Sequence, residues 1–137
     1  MAANFEPVAE ALLGVVENLG DVAWSGRLRM GIEQLPDQPA VIVALTGATA
    51  QPEHNLPTTW TGTFRVAYMA RADGSEESPE TRLNAWLVLL QDALAANPTL
   101  DGTCEHAWIT GEVDFVPPTT GEPWMECWAS VEVQLIA

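Results

Sequence analysis

The feature that most limits the possible folds is a pair of long alternating runs at the end of the chain. In residues 103–116 and 124–136, apolar or small side chains alternate with polar ones, as in strands with one buried face. The proline-containing segment between the runs predicts a β-hairpin with a long tip. At about 3.3 Å per residue each strand would extend roughly 40 Å, whereas most strands have five or six residues. Because a small core cannot cover that length, we expect part of the hairpin to project or to act as a contact arm.

The register of this hairpin is constrained by the sequence itself. If the loop centres on Thr120, the numbers of paired residues sum to about 240. One face then collects only apolar or small pairs: Phe115 with Met125, Val113 with Cys127, Gly111 with Ala129, Ile109 with Val131, and Ala107 with Val133. The other face carries Trp108 opposite Glu132, Glu112 opposite Trp128, and Asp114 opposite Glu126. Both strands therefore agree on which face is buried.

The segment 78–97 is predicted to be a long helix. Ser78 suits the N-cap, Pro79 suits the first helical position, and Pro98 ends the helix. One helical face carries Leu83, Trp86, Leu87, Leu90 and Leu94, and the opposite face carries Ala85, Val88, Leu89, Asp92 and Ala96. Two apolar faces indicate either a helix buried inside a thick domain or a helix that also packs on a neighbouring subunit. The short chain favours the second interpretation, in which Val88 and Leu89 are subunit contacts.

The remaining segments complete an α+β pattern. Residues 4–19 form an amphipathic helix, 22–34 have a loose strand pattern, 40–46 are an apolar strand, and 59–70 alternate. Residues 47–58 are polar and aperiodic, which predicts a surface loop. The predicted order is α-β-β-β-α-β-β, in a mostly antiparallel sheet with two helices packed on it and a long C-terminal hairpin. We expect one domain spanning residues 1–137.

The charge of the chain excludes one class of partner. Nineteen acidic residues face five arginines and no lysine, giving a net charge of -14. Such a chain lacks the basic patch that binding to nucleic-acid phosphates requires. No apolar run approaches the ~20 residues that cross a bilayer, and no export signal is visible. The two cysteines are therefore expected to be free thiols in a reducing compartment.

Catalytic and metal-binding constellations are weakly represented. Cys104, His106 and Cys127 suggest zinc, but the register separates the two cysteines by roughly 30 Å, too far for shared coordination or a disulfide. A Cys104–His106 nucleophile pair would lack an orienting third group. Asp114 and Glu126, with Glu112, form either a cation or acid–base site or a solvated acidic face, and the overall excess of acids favours the latter. We predict no enzyme activity, no catalytic or metal residues, and no cofactor.

Tryptophan is frequent, with six in 137 residues. Four of them lie toward strand ends or on the polar face of a strand: Trp24, Trp60, Trp124 and Trp128. Tryptophan in such places often marks a protein interface, although it can also close the ends of a core. We take Trp60, Trp124 and Trp128 as candidate contact residues.

The layout resembles the tail terminator, or tail completion, proteins of long-tailed bacteriophages. The resemblance rests on the opening amphipathic helix, the strands QPAVIVAL and TGTFRVAYMAR, the helix ending in NPTLDG, and the closing strand WASVEVQLIA. Proteins of that family form a six-membered ring on the last ring of the tail tube, stop tube growth and present a surface to the head-side connector. The resemblance implies a structural virion protein of the tail, assembled in the host cytoplasm. Its partners would be further copies of itself, the tail tube protein and the connector or stopper, with no membrane.

The same resemblance gives the acids a function. A channel wall of carboxylates repels DNA, so DNA passes as cargo without sticking. The residues expected to face the channel are Glu112, Asp114, Glu126 and Glu132. Two alternatives remain open: another connector or stopper ring at the head–tail joint, and a small α+β ligand-binding domain or enzyme.

Overall fold

The computed structural model describes residues 3–27, 39–51, 58–71, 78–118 and 124–136. These residues form two helices and five strands: α1 (Glu6–Val16), β1 (Trp24–Arg27), β2 (Ala40–Gln51), β3 (Thr59–Arg71), α2 (Pro79–Ala96), β4 (His106–Val116) and β5 (Trp124–Ile136). The predicted element order and the C-terminal hairpin are confirmed. One boundary was wrong: residues 47–51 continue β2 rather than opening a loop, because they pair with β3 although their side chains are small or polar. Residues 28–34, 52–57 and Thr120, which also carried predictions, lie outside the described residues.

The strands form one sheet in the order β1-β2-β3-β5-β4. Only β1 and β2 run parallel, and the other neighbours are antiparallel. β5 pairs with β3 along its whole length, from Trp124 opposite Arg71 to Ile136 opposite Thr59. In the residues that the structure describes, the C-terminal hairpin therefore does not project as an arm, because its second strand is an inner strand of the sheet.

Both helices pack on one face of the sheet. Val8, Leu12 and Val16 of α1, together with Leu83, Leu90 and Leu94 of α2, join one core with the inward residues of β2, β3 and β5. On this face the Phe5 ring packs directly against Gly62 of β3. A Cβ at Gly62 would lie only 2.4 Å from Cε1 of that ring, so a larger residue would displace it. The sheet face turned away from the helices carries a second, smaller cluster, made of Ile42, Ala67 and Met69 with Trp24 and Trp128 against it.

The β4–β5 register agrees with the prediction only near the start of β4. Ala107, Trp108 and Ile109 lie opposite Val133, Glu132 and Val131 as expected. Two additional residues then enter β4 between Thr110 and Asp114, where Gly111 has a φ of +67°. Beyond this bulge, Asp114 lies opposite Trp128 and Phe115 opposite Cys127. The predicted pairs beyond Ile109 were therefore wrong, namely Phe115–Met125, Val113–Cys127, Gly111–Ala129, Glu112–Trp128 and Asp114–Glu126. An insertion of two residues preserves the alternation, so the predicted faces remain correct.

Candidate interaction surfaces

The clearest candidate surface is the side of α2 that faces away from the sheet. The Ser78 hydroxyl accepts a hydrogen bond from the Thr81 N–H at 3.2 Å and caps the helix. The core side of α2 is buried, but Val88 and Leu89 are 44% and 43% exposed. We call Ala85, Val88, Leu89, Asp92 and Ala96 the outer face of α2, and all five are exposed. An α2 that is buried on all sides by its own chain is thus ruled out.

A cleft of about 330 Å³ continues this outer face toward the segment after α1. Leu19 and Leu89 give it apolar walls, and Tyr68 and Arg82 give it hydrogen-bond donors. The Tyr68 ring stacks on Trp86, with 5.5 Å between the ring centres. The outer face of α2 therefore borders a cleft rather than a flat surface, and this cleft combines apolar walls with the opposite charges of Arg82 and Asp21.

The predicted contact residues occupy three separate places. Val88 and Leu89 lie on the helix layer, and Trp60 lies on the helix side of β3, opposite Ala50 and Leu135. Trp124 and Trp128 lie on the other sheet face, each beneath an arginine: the guanidinium carbons of Arg71 and Arg65 are 5.9 and 5.6 Å from the respective ring centres. These residues do not form one patch. A subunit of a head-to-tail ring uses two different surfaces, so the separation is compatible with a ring.

The four predicted channel acids are partly brought together. Asp114, Glu126 and Glu132 share the sheet face turned away from the helices, while Glu112 lies in the bulge of β4 and is exposed. Glu126 lies opposite Met69 and Val116, and Glu132 lies opposite Thr63 and Trp108. This surface is therefore acidic but interrupted by tryptophans and arginines, rather than a continuous wall of carboxylates.

Arg65 is the residue of this surface that the sequence analysis overlooked. Its guanidinium donates to the Ser130 hydroxyl at 2.9 Å and lies 3.3 Å from the Asp114 carboxylate. Asp114 is therefore charge-compensated. Strand alternation placed Arg65 on this face, but its partners depend on β5 lying between β3 and β4, which the local pattern does not show.

Both cysteines are free thiols, as the sequence predicted, and both are buried. Burial raises the pKa of the Cys104 thiol, and burial together with the nearby Asp114 charge raises the pKa of Cys127 to about 11. Thiols held protonated in this way are poor nucleophiles at neutral pH. His106 is exposed and stacks on Trp108 with 5.2 Å between ring centres. In the described part of the chain, no three His, Cys, Asp or Glu side chains are grouped to hold a metal.

Two further clefts lie between α2 and β4. One, of about 460 Å³, is lined by apolar groups that include Pro79, Leu83, Phe115 and Pro117. The other, of about 380 Å³, lies toward the end of α2 beside Leu94 and Trp108. Their walls suit an apolar side chain or a small apolar molecule, which is the observation that keeps a ligand-binding alternative open.

No protein-family model matches the chain, and a search of the curated proteins finds no matching sequence. Neither of the helices that the structure describes is long and apolar enough to span a membrane.

Proposed function

We propose that this protein is a structural ring subunit that resembles phage tail terminators. In this proposal the ring caps the tail tube, stops its growth and provides the surface to which the head attaches. The observation that carries the proposal is the exposed apolar outer face of α2. Val88 and Leu89 lie in solvent on a helix whose other side already fills the core. Such a face is stabilised when a partner covers it.

The composition of this face suits a contact between copies. Its centre is apolar, Asp92 provides a polar rim, and the adjoining cleft can receive a side chain from a neighbour. Interfaces between subunits combine an apolar centre with a polar rim in this manner. A head-to-tail contact gives a ring when the rotation between neighbouring copies closes, and we propose a closed ring of six members by the family resemblance.

The acidic charge supports a passive role toward DNA. A chain with a net charge of -14 repels phosphates at short range, and this repulsion suits a ring through which DNA passes. The partners in the proposal are other copies of the chain, the tail tube protein and the head-side connector. The assembled location is the virion tail, and the proposal includes no catalytic step and no cofactor.

Assembly on tail tubes tests the proposal directly. The purified chain is examined by size-exclusion chromatography with light scattering and by negative-stain electron microscopy, alone and with tubes polymerised from the tail tube protein of the same phage. We expect rings at tube ends and tubes that stop elongating. Rings that bind the connector but not the tube would indicate a stopper instead. A strict monomer whose melting temperature rises with a small ligand would indicate a ligand-binding domain.

A further inference from the structure

The exposed side of α2 carries a residue spacing that suits pairing with an identical helix. Arg82, Ala85, Leu89, Asp92 and Ala96 follow one another in alternating steps of three and four, and we call them the α2 stripe. Residues with this spacing lie in one narrow line along a helix, and two such lines can interlock side by side. Four of the five residues are exposed, and Arg82 is half-buried. The α2 stripe is therefore accessible to a partner over most of its length.

The charges of the α2 stripe favour a second copy of the chain in one particular direction. Arg82 lies toward the start of α2 and Asp92 toward its end. An antiparallel copy brings Arg82 of each chain near Asp92 of the other, so the opposite-charge pair occurs twice. A parallel copy would instead place like charges against each other. Antiparallel packing also brings together opposite ends of the two helix dipoles.

We infer that α2 of one copy packs antiparallel on α2 of a second copy, about a two-fold axis at Leu89. With the axis there, residues the same number of steps from Leu89 face one another, so Ala85 faces Asp92 and Arg82 faces Ala96. The two small alanines let the helices approach closely. The Asp92 carboxylate of the second copy then lies about 5 Å farther along the axis from Arg82, within reach of its long side chain.

Arg82 can turn toward such a carboxylate at little cost. Its guanidinium donates to the Arg71 carbonyl and to the Tyr68 hydroxyl, and both donor–acceptor distances are 3.5 Å, longer than is usual for hydrogen bonds. A guanidinium also has five N–H donors, so it can bind a further acceptor. The contact therefore replaces weak hydrogen bonds with a charge-assisted one.

The pair of helices would regulate the proposed ring contact, because both cover the outer face of α2. A copy held in the pair joins a ring through that face only after the pair separates. Pairing thus keeps free copies from closing into rings before a tube end is present. This consequence rests on the proposed function, whereas the pairing itself does not. One pair of 18-residue helices is smaller than a stable interface, so the pair should separate readily.

Charge reversal tests both the contact and its direction. Sedimentation equilibrium is run at about 150 mM NaCl, which screens the general repulsion between chains of net charge -14. The parent chain should show a monomer–dimer equilibrium between roughly 10 μM and 1 mM. Arg82→Asp opposes aspartates and Asp92→Arg opposes arginines, so each variant alone should dimerise about tenfold more weakly. An equimolar mixture of the two variants restores both opposite-charge pairs and should dimerise like the parent.

Two further variants locate the contact on α2. Gln91→Arg adds a positive charge on the side of α2 that borders β4, and it should leave the dimer unchanged. Leu89→Cys places a thiol at the axis and should give a disulfide-linked dimer under mild oxidation. The native cysteines are buried, so the parent chain should remain uncross-linked. Far-UV circular dichroism checks that each variant is folded.

The outcomes separate this inference from the proposed function. A parent chain that stays monomeric over this concentration range would overturn the inference, and so would a mixture that dimerises no better than its components. Rings at tube ends, formed by a chain that never pairs in solution, would remove the pair and leave the proposed ring intact. Pairs that pass the charge tests, from a chain that forms no ring on tubes, would support the pair and remove the proposed function.

Discussion

The guanidinium of Arg65 on β3 reaches across β5 to the carboxylate of Asp114 on β4, with 3.3 Å between Nη2 and Oδ2. On the way it donates to the Ser130 hydroxyl and covers the Trp128 ring. One side chain thus ties three strands together on a single sheet face. The two-residue bulge makes this possible, because it moves Asp114 from the position opposite Glu126 to the position opposite Trp128.

Replacing Arg65 should loosen this face. Arg65→Ala removes an ion pair, a hydrogen bond and a cation–π contact, and we expect the free energy of unfolding to fall by about 1–2 kcal/mol. Urea denaturation followed by tryptophan fluorescence measures the change. Asp114→Asn removes only the ion pair, and because the Asp114 side chain is 56% exposed, it should cost less than about 1 kcal/mol. Equal losses for the two variants would show that the contacts with Trp128 and Ser130 contribute nothing.

The bulge itself can be tested at Gly111. Its φ of +67° is accessible to glycine but strained for alanine, and no neighbouring atom lies within 4 Å of a Cβ placed there. Gly111→Ala should therefore lower the free energy of unfolding by about 1–2 kcal/mol through the backbone alone. Gly47→Ala is the matched control, because Gly47 also has open space but no positive φ. Thermal melts of both variants should show a loss for Gly111→Ala only; equal melting temperatures would contradict the bulge.

The local patterns of the chain specified the elements and their buried faces, because those follow from periods of 2 and 3.6 residues. The alternation in β4 and β5 correctly placed Ala107, Ile109 and Val131 toward the helices. The bulge in β4 was not predicted because an insertion of two residues leaves the alternation of buried and exposed side chains unchanged. Gly111 was its only local sign, and a glycine within a strand pattern often marks a bulge.

A surface could be predicted from the sequence when its position depends on a single segment of the chain. The outer face of α2 follows from helical geometry alone, and Val88 and Leu89 are exposed as that geometry requires. The contacts of Trp128 depend instead on the order of strands in the sheet, which inserts β5 between β3 and β4. Such pairings between distant segments are not encoded in any single stretch of the sequence.

The outer face of α2 gives the sharpest test of the ring. The double substitution Val88→Asp with Leu89→Asp should leave the far-UV spectrum and the melting temperature nearly unchanged, because both side chains are already exposed. Assembly should be lost, since charges buried in an interface without partners cost several kcal/mol. Asn84→Asp with Gln91→Asp adds the same charge on the side of α2 that borders β4 and should still assemble. Unfolding of the Val88, Leu89 variant would assign these residues to the core and remove the contact.

Cys127 should make the stability of the protein depend on pH under alkaline conditions. Its pKa is raised from 9.0 to about 11 in the folded state, so the folded chain binds the thiol proton more tightly than the unfolded chain. This contribution to stability is fully present below pH 9 and is lost as the pH rises to 11, by about 2–3 kcal/mol. Urea denaturation at several pH values measures the slope, and Cys127→Ala should flatten it. In the native protein near pH 8, alkylation of Cys127 should be slow until denaturant is added.

Charge-reversing substitutions on the acidic sheet face test the hypothesis that DNA passes along it. Glu126 and Glu132 share this face, and Glu112 lies exposed in the adjoining bulge. If the protein is the tail-capping ring proposed above, changing these three residues to lysine should leave tail termination and head joining intact and should give the ring counter-charges for phosphates. Asp114 is left in place because a lysine there would repel Arg65.

In particles whose proposed ring carries these three lysine substitutions, DNA ejection should slow. The effect should be strongest at low salt, since phosphate binding by lysine weakens as salt rises. Light scattering or a DNA-binding dye follows ejection over time. In the control variant, three exposed acids outside this face are changed to lysine instead: Glu17, Glu80 and Glu105. If the channel-facing assignment is correct, the control ejects DNA at the normal rate. Equal slowing in both variants, or no slowing in either, would place these carboxylates away from the DNA path.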